Sequence, residues 1–497
     1  MSSEVSRRTV VRGMTVGTAG VVGWSALNQS WVTAASADTT DVAPVPQLDG
    51  TLETSPGSAG NFSSDFGKLT SWKPHAVLRP NSERDVEKMV TYTYWNDLKI
   101  AVNGQSGSTE ADFESHSSYG QAAVPGGISI DARGLSKIHS IGSDHAVVGP
   151  GVTWAQLTDA ALAEGLTPPS LPDYPHLSIG GVISVGGIGG NPQQHGLMCD
   201  TVEEIEVVTG TGRRVTASDN ERRWLFRSVL AGGGQCGIIV RAKVKLVPAP
   251  SRILVFDLFY DDLSTYMADQ EKVMSSGQFD FQEGELIRKD DDSGWRYKIQ
   301  IGVHYSSDKP NQEKLLSGLS DNRAEAQISD YGYHDWVYRI MPFEAFLKNN
   351  GYWGEPKPWL SMVLPGSKTR EFMNSVVLPE LTPADLGVGF TALYPFKASK
   401  LTCPLFARPD EEVLYLFDLL RFPFPNDPGI EGMLQQNRRF YDEAVKLGAK
   451  RYLVGAVPDM DSDDWQKHFG RQWGMLRLAK WRYDPFNVLT PGQGFFD

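Results

Sequence analysis

The stretch that decides the fold lies at residues 115–131 and reads Ser-His-Ser-Ser-Tyr-Gly-Gln-Ala-Ala-Val-Pro-Gly-Gly-Ile-Ser-Ile-Asp. It places one histidine, His116, among small residues and directly after a predicted strand. A planar ring has room to lie against an imidazole in this setting. A lone histidine is nevertheless more often a hydrogen-bonded structural residue. From the residues alone, a cofactor role and a structural role for His116 both stay open.

Glycines are concentrated in a second stretch, which reads Ile179-Gly180-Gly181-Val182-Ile183-Ser184-Val185-Gly186-Gly187-Ile188-Gly189-Gly190. Backbone N–H groups in such a stretch can approach a pyrophosphate closely, because no Cβ intrudes. A tightly packed glycine turn explains the stretch equally well. The stretch alone does not decide between these two interpretations.

A third glycine stretch, Gly232-Gly233-Gly234-Gln235-Cys236-Gly237, formally matches the dinucleotide pattern G-x-G-x-x-G. In a dinucleotide-binding fold, that pattern follows a strand and opens a helix. Here a predicted helix at 222–230 precedes the glycines, and a predicted strand follows them. This order argues against a nicotinamide site at this position.

The elements around these stretches alternate, but not as a regular βαβ array. Strands are predicted at 76–79, 99–102, 146–148 and 237–247, and a β-hairpin at 202–215. Cap residues predict helices from Ser82 to about Trp95 and from Thr153 to Gly165. After Pro248-Ala249-Pro250 the chain becomes richer in aromatic strands and longer helices, with helices predicted at 411–420 and 433–447. The pattern indicates an α+β protein.

The first residues resemble an export signal. Arg7 and Arg8 precede an apolar run from Met14 to Leu27, and Ala35-Ser36-Ala37 follows as a small-x-small cleavage pattern. The run is too short to span a bilayer as a helix. We therefore predict a twin-arginine signal peptide at 1–37 and a secreted, extracytoplasmic mature protein.

The charge balance is acidic, with 47 basic and 60 acidic residues. Such a surface repels phosphate backbones and anionic lipids, so we expect neither nucleic acid nor a membrane as partner. Cys199, Cys236 and Cys403 lie far apart in the sequence, which gives no zinc-site or disulfide spacing. We expect each to be a small buried hydrophobic residue, and we predict no metal site.

Several ordered motifs resemble those of the cytokinin dehydrogenases, FAD-linked oxidases of the vanillyl-alcohol oxidase type. Residues 116–135 resemble the flavin-attachment segment, and Leu171-Pro172-Asp173-Tyr174 with the glycine cluster resembles the Asp-Tyr segment. Pro356-Lys357-Pro358-Trp359-Leu360 resembles a His-Pro-Trp-Leu stretch. His468-Phe469-Gly470 and Tyr483-Asp484-Pro485 continue the similarity, which covers about residues 70–497.

The resemblance implies a two-domain α+β flavoprotein. It places an FAD-binding domain of the vanillyl-alcohol oxidase type at 61–248, an α+β substrate (cap) domain at 249–455, and a C-terminal return to the FAD-binding domain at 456–497. Residues 38–60 are expected to form a flexible lead-in between the signal peptide and the first domain.

The resemblance also assigns roles to residues. His116 is expected to bond covalently to FAD, Asp173 to act as the general base, and Glu283 to hydrogen-bond the substrate. Trp359 and Lys357 are expected in the substrate pocket. Further cofactor contacts are expected from Ser117, Gln121, Gly180, Gly181, Ser184, Gly187, Gly190, Ile239 and Gln493.

Three features depart from the family pattern. An extra stretch, Ser106–Glu114, interrupts the approach to His116. Lys357 occupies the place of the histidine in His-Pro-Trp-Leu, and Ala456 that of an expected tyrosine.

The function implied is oxidation of a secondary amine, namely removal of the side chain from an N6-substituted adenine. Hydride passes to the flavin, and a carboxylate screened from water accepts the amine proton. The alternative is a secreted flavin oxidase of the same fold that acts on another amine, an aryl alcohol or a phenolic compound. A non-enzymatic flavin-binding protein is the third hypothesis. Either oxygen or a quinone is expected to reoxidise the flavin.

Overall fold

The computed structural model of the chain describes residues 44–54, 60–107, 109, 113–289 and 294–496, and the backbone of two short paired strands, Val21–Ser25 and Ser30–Thr33. The predicted signal peptide otherwise lies outside the described residues. No helix in the described part of the chain is long and apolar enough to cross a membrane.

A four-stranded sheet carries the segment that contains His116. Ile128–Asp131 lies between and parallel to Ala76–Arg79 and Ile100–Asn103, and Thr51–Glu53 adds an antiparallel edge strand. The helix Glu83–Trp95 packs its Val86, Met89 and Val90 onto this sheet. Both strands and the helix predicted in this region are confirmed.

A second, five-stranded antiparallel sheet follows in the same domain. Its strand order is Arg214–Ser218, Val202–Val208, Ile238–Lys245, His145–Val148 and Ile138–Ile141. The predicted hairpin is confirmed. Thr153 caps the helix Trp154–Leu162 through a capping box with Gln156, as its sequence predicts, although the helix ends three residues before Gly165. The helices Ile179–Val185 and Arg223–Val229 complete this core.

The cap region contains two four-stranded antiparallel sheets over a separate apolar core. In strand order, the first sheet contains Phe281–Arg288, Trp295–Tyr305, Arg252–Tyr260 and Gln327–Gly332, and the second contains Phe390–Lys397, Val413–Leu420, Leu360–Pro365 and Lys450–Arg451. The longer helices packed on them are Leu263–Ser276, Met341–Asn349, Gly366–Phe372 and Ile430–Lys446. The helix predicted at 433–447 is confirmed.

The helix predicted at 411–420 is wrong, because the chain forms the strand Val413–Leu420 there. This strand lies between two others and is buried on both faces, so its sequence is an almost continuous apolar run. Such a run lacks the alternation that identifies a half-exposed strand, and its period does not distinguish helix from strand. The correction matters for the site, because it places Asp418 in the middle of a sheet.

The remaining elements are short, apart from the 11-residue C-terminal helix Trp473–Tyr483. The strands are Gln105–Ser106, Glu114–Ser115, Leu166–Thr167 and Val247–Pro248, and the helical turns and helices are Gly60–Phe62, Ala132–Leu135, Pro192–His195, Met198–Thr201, Gln312–Leu315, Arg323–Glu325, Tyr333–Val337, Met373–Val377, Leu378–Glu380, Pro383–Leu386, Ala398–Lys400, Ser462–Phe469, Gly470–Gln472 and Trp473–Tyr483.

The C-terminal segment packs against the first domain. Ile100 donates its N–H to the carbonyl of Val488 and accepts one from Thr490, both at 2.9 Å. A buried ion pair between Lys480 and Asp484 (2.7 Å) ties the last helix to this turn. The last residues therefore lie beside the strand that leads to His116.

Candidate active site

A cavity of about 700 Å³ lies between the first domain and the cap region. Twelve of the fourteen residues selected from the sequence line it, namely His116, Ser117, Gln121, Asp173, Gly180, Gly181, Ser184, Gly187, Ile239, Glu283, Lys357 and Trp359. The tertiary structure thus brings together residues separated by more than 200 positions.

Gly190 and Gln493 lie outside this lining. A Cβ on Gly190 would sit 2.0 Å from the ring of Phe281, so only glycine allows the two domains to approach here. Gln493 donates to the carbonyl of Tyr119 at 2.9 Å and accepts from the indole of Trp465 at 2.9 Å. Both residues support the cavity wall from behind.

His116 is held in a fixed orientation in the wall. Its ring stacks on Phe66 with the centroids 3.7 Å apart, and its Nδ1 lies 2.9 Å from Ser106 Oγ. Burial, followed by the nearby Lys357 ammonium, lowers the pKa of His116 well below its ordinary value. The imidazole is therefore neutral at physiological pH.

Two short antiparallel strands flank the extra stretch at 106–114, with Gln105 opposite Ser115 and Ser106 opposite Glu114. This pairing carries Ser106 to the histidine, while the carboxylate of Glu114 accepts a hydrogen bond from the indole of Trp353. The interruption thus becomes part of the support of His116.

The glycine-rich side of the cavity fits a polar dinucleotide. Asn103 Nδ2, Gln105 Oε1 and Gln121 Oε1 belong to residues that line it, and each is buried without a hydrogen-bond partner among the described residues. Buried polar groups are rarely left unpaired. Gly187, at φ +76°, adds a turn that an L side chain would strain. We name the cavity residues within 102–121, 180–188 and 233–239 the glycine wall.

A second group of cavity residues is ionisable. Arg339 donates to the carboxylate of Asp173, and its guanidinium lies 3.9 Å from Glu283 Oε1. Burial, then the neighbouring Asp173, raises the pKa of Glu283 well above its ordinary value, while Arg339 opposes the shift. The protonated form of Glu283 is therefore favoured over a wider pH range than in an ordinary carboxyl group. It faces an ion-paired Asp173, so one acid and one base stand side by side.

Lys357 and Trp359 lie next to Phe66, the ring that stacks on His116: Lys357 Nζ is 4.4 Å from the centre of the Phe66 ring, and the rings of Trp359 and Phe66 are 5.3 Å apart. Lys357 is only 2% exposed, donates to the carbonyls of Glu355 (3.0 Å) and Phe66 (3.3 Å), and burial lowers its pKa to about 7. Trp359 donates its indole N–H to the carbonyl of Arg421 at 3.0 Å. We use the name charged wall for six cavity residues, five ionisable and one aromatic: Asp173, Glu283, Arg339, Lys357, Asp418 and Trp359.

Sequence reasoning missed two members of the charged wall. Arg339 lies in a segment, 333–340, that carries no motif, and only its position over Trp336 and beside Asp173 shows its role. Asp418 was not identified as a site residue because its strand was predicted as a helix. An acidic residue within the apolar run Val-Leu-Tyr-Leu-Phe-Asp-Leu-Leu was the available signal.

The three cysteines are buried, as expected. The structure nevertheless brings Cys199 and Cys403 together with Asp200, with their ligand atoms within 4.8 Å of one another. The Asp200 carboxylate already accepts hydrogen bonds from the backbone of Leu197, Thr402 and Cys403. We therefore assign this cluster to the junction of two loops and not to metal binding.

Comparison with known proteins gives two family matches. An FAD binding domain matches residues 74–218, and the family described as cytokinin dehydrogenase 1, FAD and cytokinin binding, matches residues 289–496. An uncharacterised oxidoreductase of the fasciation locus of Rhodococcoides fascians is 34% identical, over 86% of this chain and 95% of its own length. Cytokinin dehydrogenase 2 of Arabidopsis thaliana is 31% identical, over 90% of this chain and 94% of its own length.

Proposed function

This chain belongs to the cytokinin dehydrogenase family and is an FAD-dependent oxidoreductase, and within that family we propose that it oxidises a secondary amine. The proposed reaction oxidises the secondary amine of an N6-substituted adenine to an imine, which water then hydrolyses to release the side chain. When bound, FAD supplies the hydride acceptor.

The observation that carries the proposal is the pairing of Asp173 and Glu283 across the two domains. Oxidation of an amine at its α-carbon requires a group that takes the N–H proton. Asp173 lines the cavity with a carboxylate that can take this proton, whereas the raised pKa of Glu283 favours a form that donates a hydrogen bond. Arg339 fixes the position of Asp173, so that the two carboxyl groups have different tasks.

We further propose that His116 bonds covalently to the flavin. A neutral imidazole in the cavity wall retains a nitrogen lone pair for bond formation. Ser106 and Phe66 support the proposal, because they fix the ring while one edge remains available.

Two residues favour the second candidate, an oxidase of the same fold acting on another amine, an aryl alcohol or a phenolic compound. Lys357 and Ala456 both line the cavity, at the places where the family pattern has a histidine and a tyrosine. A smaller residue at 456 enlarges that part of the pocket, and a lysine changes its charge.

Anaerobic mixing distinguishes these candidates. The purified protein is mixed with N6-isopentenyladenine, with simple secondary amines and with aryl alcohols, while the visible flavin band is followed. Rapid bleaching by N6-isopentenyladenine supports the proposal, whereas bleaching only by the simple secondary amines or the aryl alcohols supports the alternative. Mixing the reduced enzyme with oxygen or with a quinone then identifies the electron acceptor.

Secretion by the twin-arginine route is a separate proposal, supported by Arg7, Arg8 and the apolar run. Changing both arginines to lysine should leave folded, yellow protein in the cytoplasm. Normal export of that variant would contradict the proposal.

A further inference from the structure

The cavity contains a buried carboxylate that the proposed reaction does not use. Asp418 lies in the middle of the strand Val413–Leu420, is 8% exposed and lines the cavity. Its cross-strand neighbours are Ser361 on one side and Ala392 on the other. Neither neighbour carries a positive charge.

Asp418 has an oxygen without a partner. Among the described residues, its buried Oδ1 accepts no hydrogen bond, and no cationic side chain lies within ion-pairing distance. A buried carboxylate in that state is costly unless something supplies the missing donor. Burial also raises the pKa of Asp418 to about 7, with Asp173 contributing and Ser361 opposing.

A second buried acid of the cap region provides the contrast. Asp269 is fully buried but accepts hydrogen bonds from Tyr260 (3.1 Å), from Lys272 (2.7 Å) and from the backbone of Ser320. Its carboxylate is satisfied by the protein and lies outside the cavity lining. Asp269 therefore has a structural role, and the same fold leaves Asp418 open towards the cavity.

The surrounding charges do not compensate Asp418. Arg339 is engaged by Asp173, and Lys357 donates to two backbone carbonyls. Glu285, also in the lining, is paired with Lys298 at 2.8 Å. None of these side chains is a partner of Oδ1. The cross-strand Ser361 hydroxyl lies close enough to lower the pKa of Asp418, and a donor on a ligand can reach the carboxylate from the cavity.

We propose that Asp418 is a specificity-determining residue whose carboxylate accepts a hydrogen bond from a second polar hydrogen of the substrate, in addition to the amine hydrogen that Asp173 takes. This inference rests on the proposed function, because it assumes a small N–H-bearing substrate. It predicts selection for substrates with a ring N–H or a side-chain hydroxyl at this position and against carboxylates.

The test compares three substrates on the parent enzyme, Asp418→Asn and Asp418→Ala. The substrates are N6-isopentenyladenine, its side-chain-hydroxylated analogue and its N9-methyl derivative. A hydrogen bond to a charged acceptor corresponds to roughly 10- to 100-fold in affinity. The parent should therefore prefer one donor-bearing compound by about that factor in KM, and Asp418→Ala should abolish the preference with kcat changed less than about threefold. The hydroxyl and N9 comparisons identify which hydrogen is bound.

The pH dependence supplies a second measurement. Because the accepting form of Asp418 is populated above a pKa of about 7, binding of the preferred substrate should tighten as pH rises through 7 in the parent. In Asp418→Asn, the affinity for the same substrate should not change with pH. Binding that weakens with rising pH would show that the acid donates, and would overturn the assignment.

Stability separates this role from a structural one. Asp418→Asn removes no hydrogen bond of Oδ1 within the described protein, so its melting temperature should equal or exceed that of the parent. Asp269→Asn should melt lower and keep the substrate preference of the parent. A parent that oxidises no secondary amine overturns the proposed function together with this inference. Unchanged preference in Asp418→Ala, with amine oxidation intact, overturns this inference alone.

Discussion

The two walls of the cavity are built in different ways. The glycine wall consists of runs of neighbouring residues whose backbone and small side chains shape the surface. The charged wall consists of single side chains contributed by separate strands and helices, from Asp173 to Asp418, and it concentrates buried charge. In the proposed function, the cofactor would be held by local segments, whereas the substrate side would be assembled from distant positions that can change one at a time.

Within the glycine wall, removing the proposed covalent contact of His116 should have the largest effect on flavin retention. Acid precipitation of the parent should give a yellow pellet, because His116 would retain the flavin covalently. His116→Ala should lose all acid-stable flavin. His145→Ala, at a histidine outside the cavity, serves as the control and should stay yellow. A colourless pellet from the parent would contradict the proposed bond.

Asp173→Asn should have the largest effect on the charged wall. The amide keeps the shape of the side chain but cannot accept the amine proton. Loss of a general base typically costs about 10²- to 10⁴-fold, so stopped-flow flavin reduction should slow by that factor with an unchanged flavin spectrum. Asp159→Asn, at an exposed carboxylate bonded to Tyr338, is the matched control. A reduction rate within about threefold of the parent would remove Asp173 from the mechanism.

Packing in the glycine wall is tested by two glycines of similar backbone conformation. Gly187 (φ +76°) would place a Cβ 2.4 Å from Val182 and 2.6 Å from Met198, whereas Gly165 (φ +72°) faces open space. We expect Gly187→Ala to cost about 2–4 kcal/mol of unfolding free energy and to weaken flavin retention, because overpacking adds to backbone strain. Gly165→Ala should cost only about 1 kcal/mol. Equal losses in chemical denaturation would show that packing at Gly187 is unimportant.

Lys357 should give the smallest effect, visible in the pH dependence of stability. Burial lowers its pKa to about 7 from 10.5, so between these values the unfolded chain binds more protons than the folded one. The contribution of Lys357 to the free energy of unfolding therefore becomes more favourable to the folded state as the pH rises from about 7 towards 10. Between pH 7 and 9 the parent should gain about 1–2 kcal/mol relative to Lys357→Met, as measured by denaturant unfolding. Parallel pH profiles of the two proteins would exclude a buried, titrating lysine.

The same contrast explains which parts of the site could be predicted. The strands and helices around residues 76–103 and 145–218 follow from caps, turn residues and alternation, which act over a few neighbours. His116, Gly180, Gly181 and Gly187 belong to runs with their own patterns, and the family resemblance then assigned these residues to the cofactor. Asp173 and Glu283 came from the family resemblance, since an aspartate before Tyr-Pro is ordinarily a turn residue.

By itself, the sequence determined the family, the α+β class, the glycine wall and the candidate base. Only the tertiary structure decided that residues 413–420 form a strand, that Arg339 holds Asp173, and that Asp418 opens into the cavity. The physical reason is that caps and glycine runs act through backbone groups a few residues apart. The ionisation and partners of a buried carboxylate depend instead on which side chains other strands bring within a few ångströms.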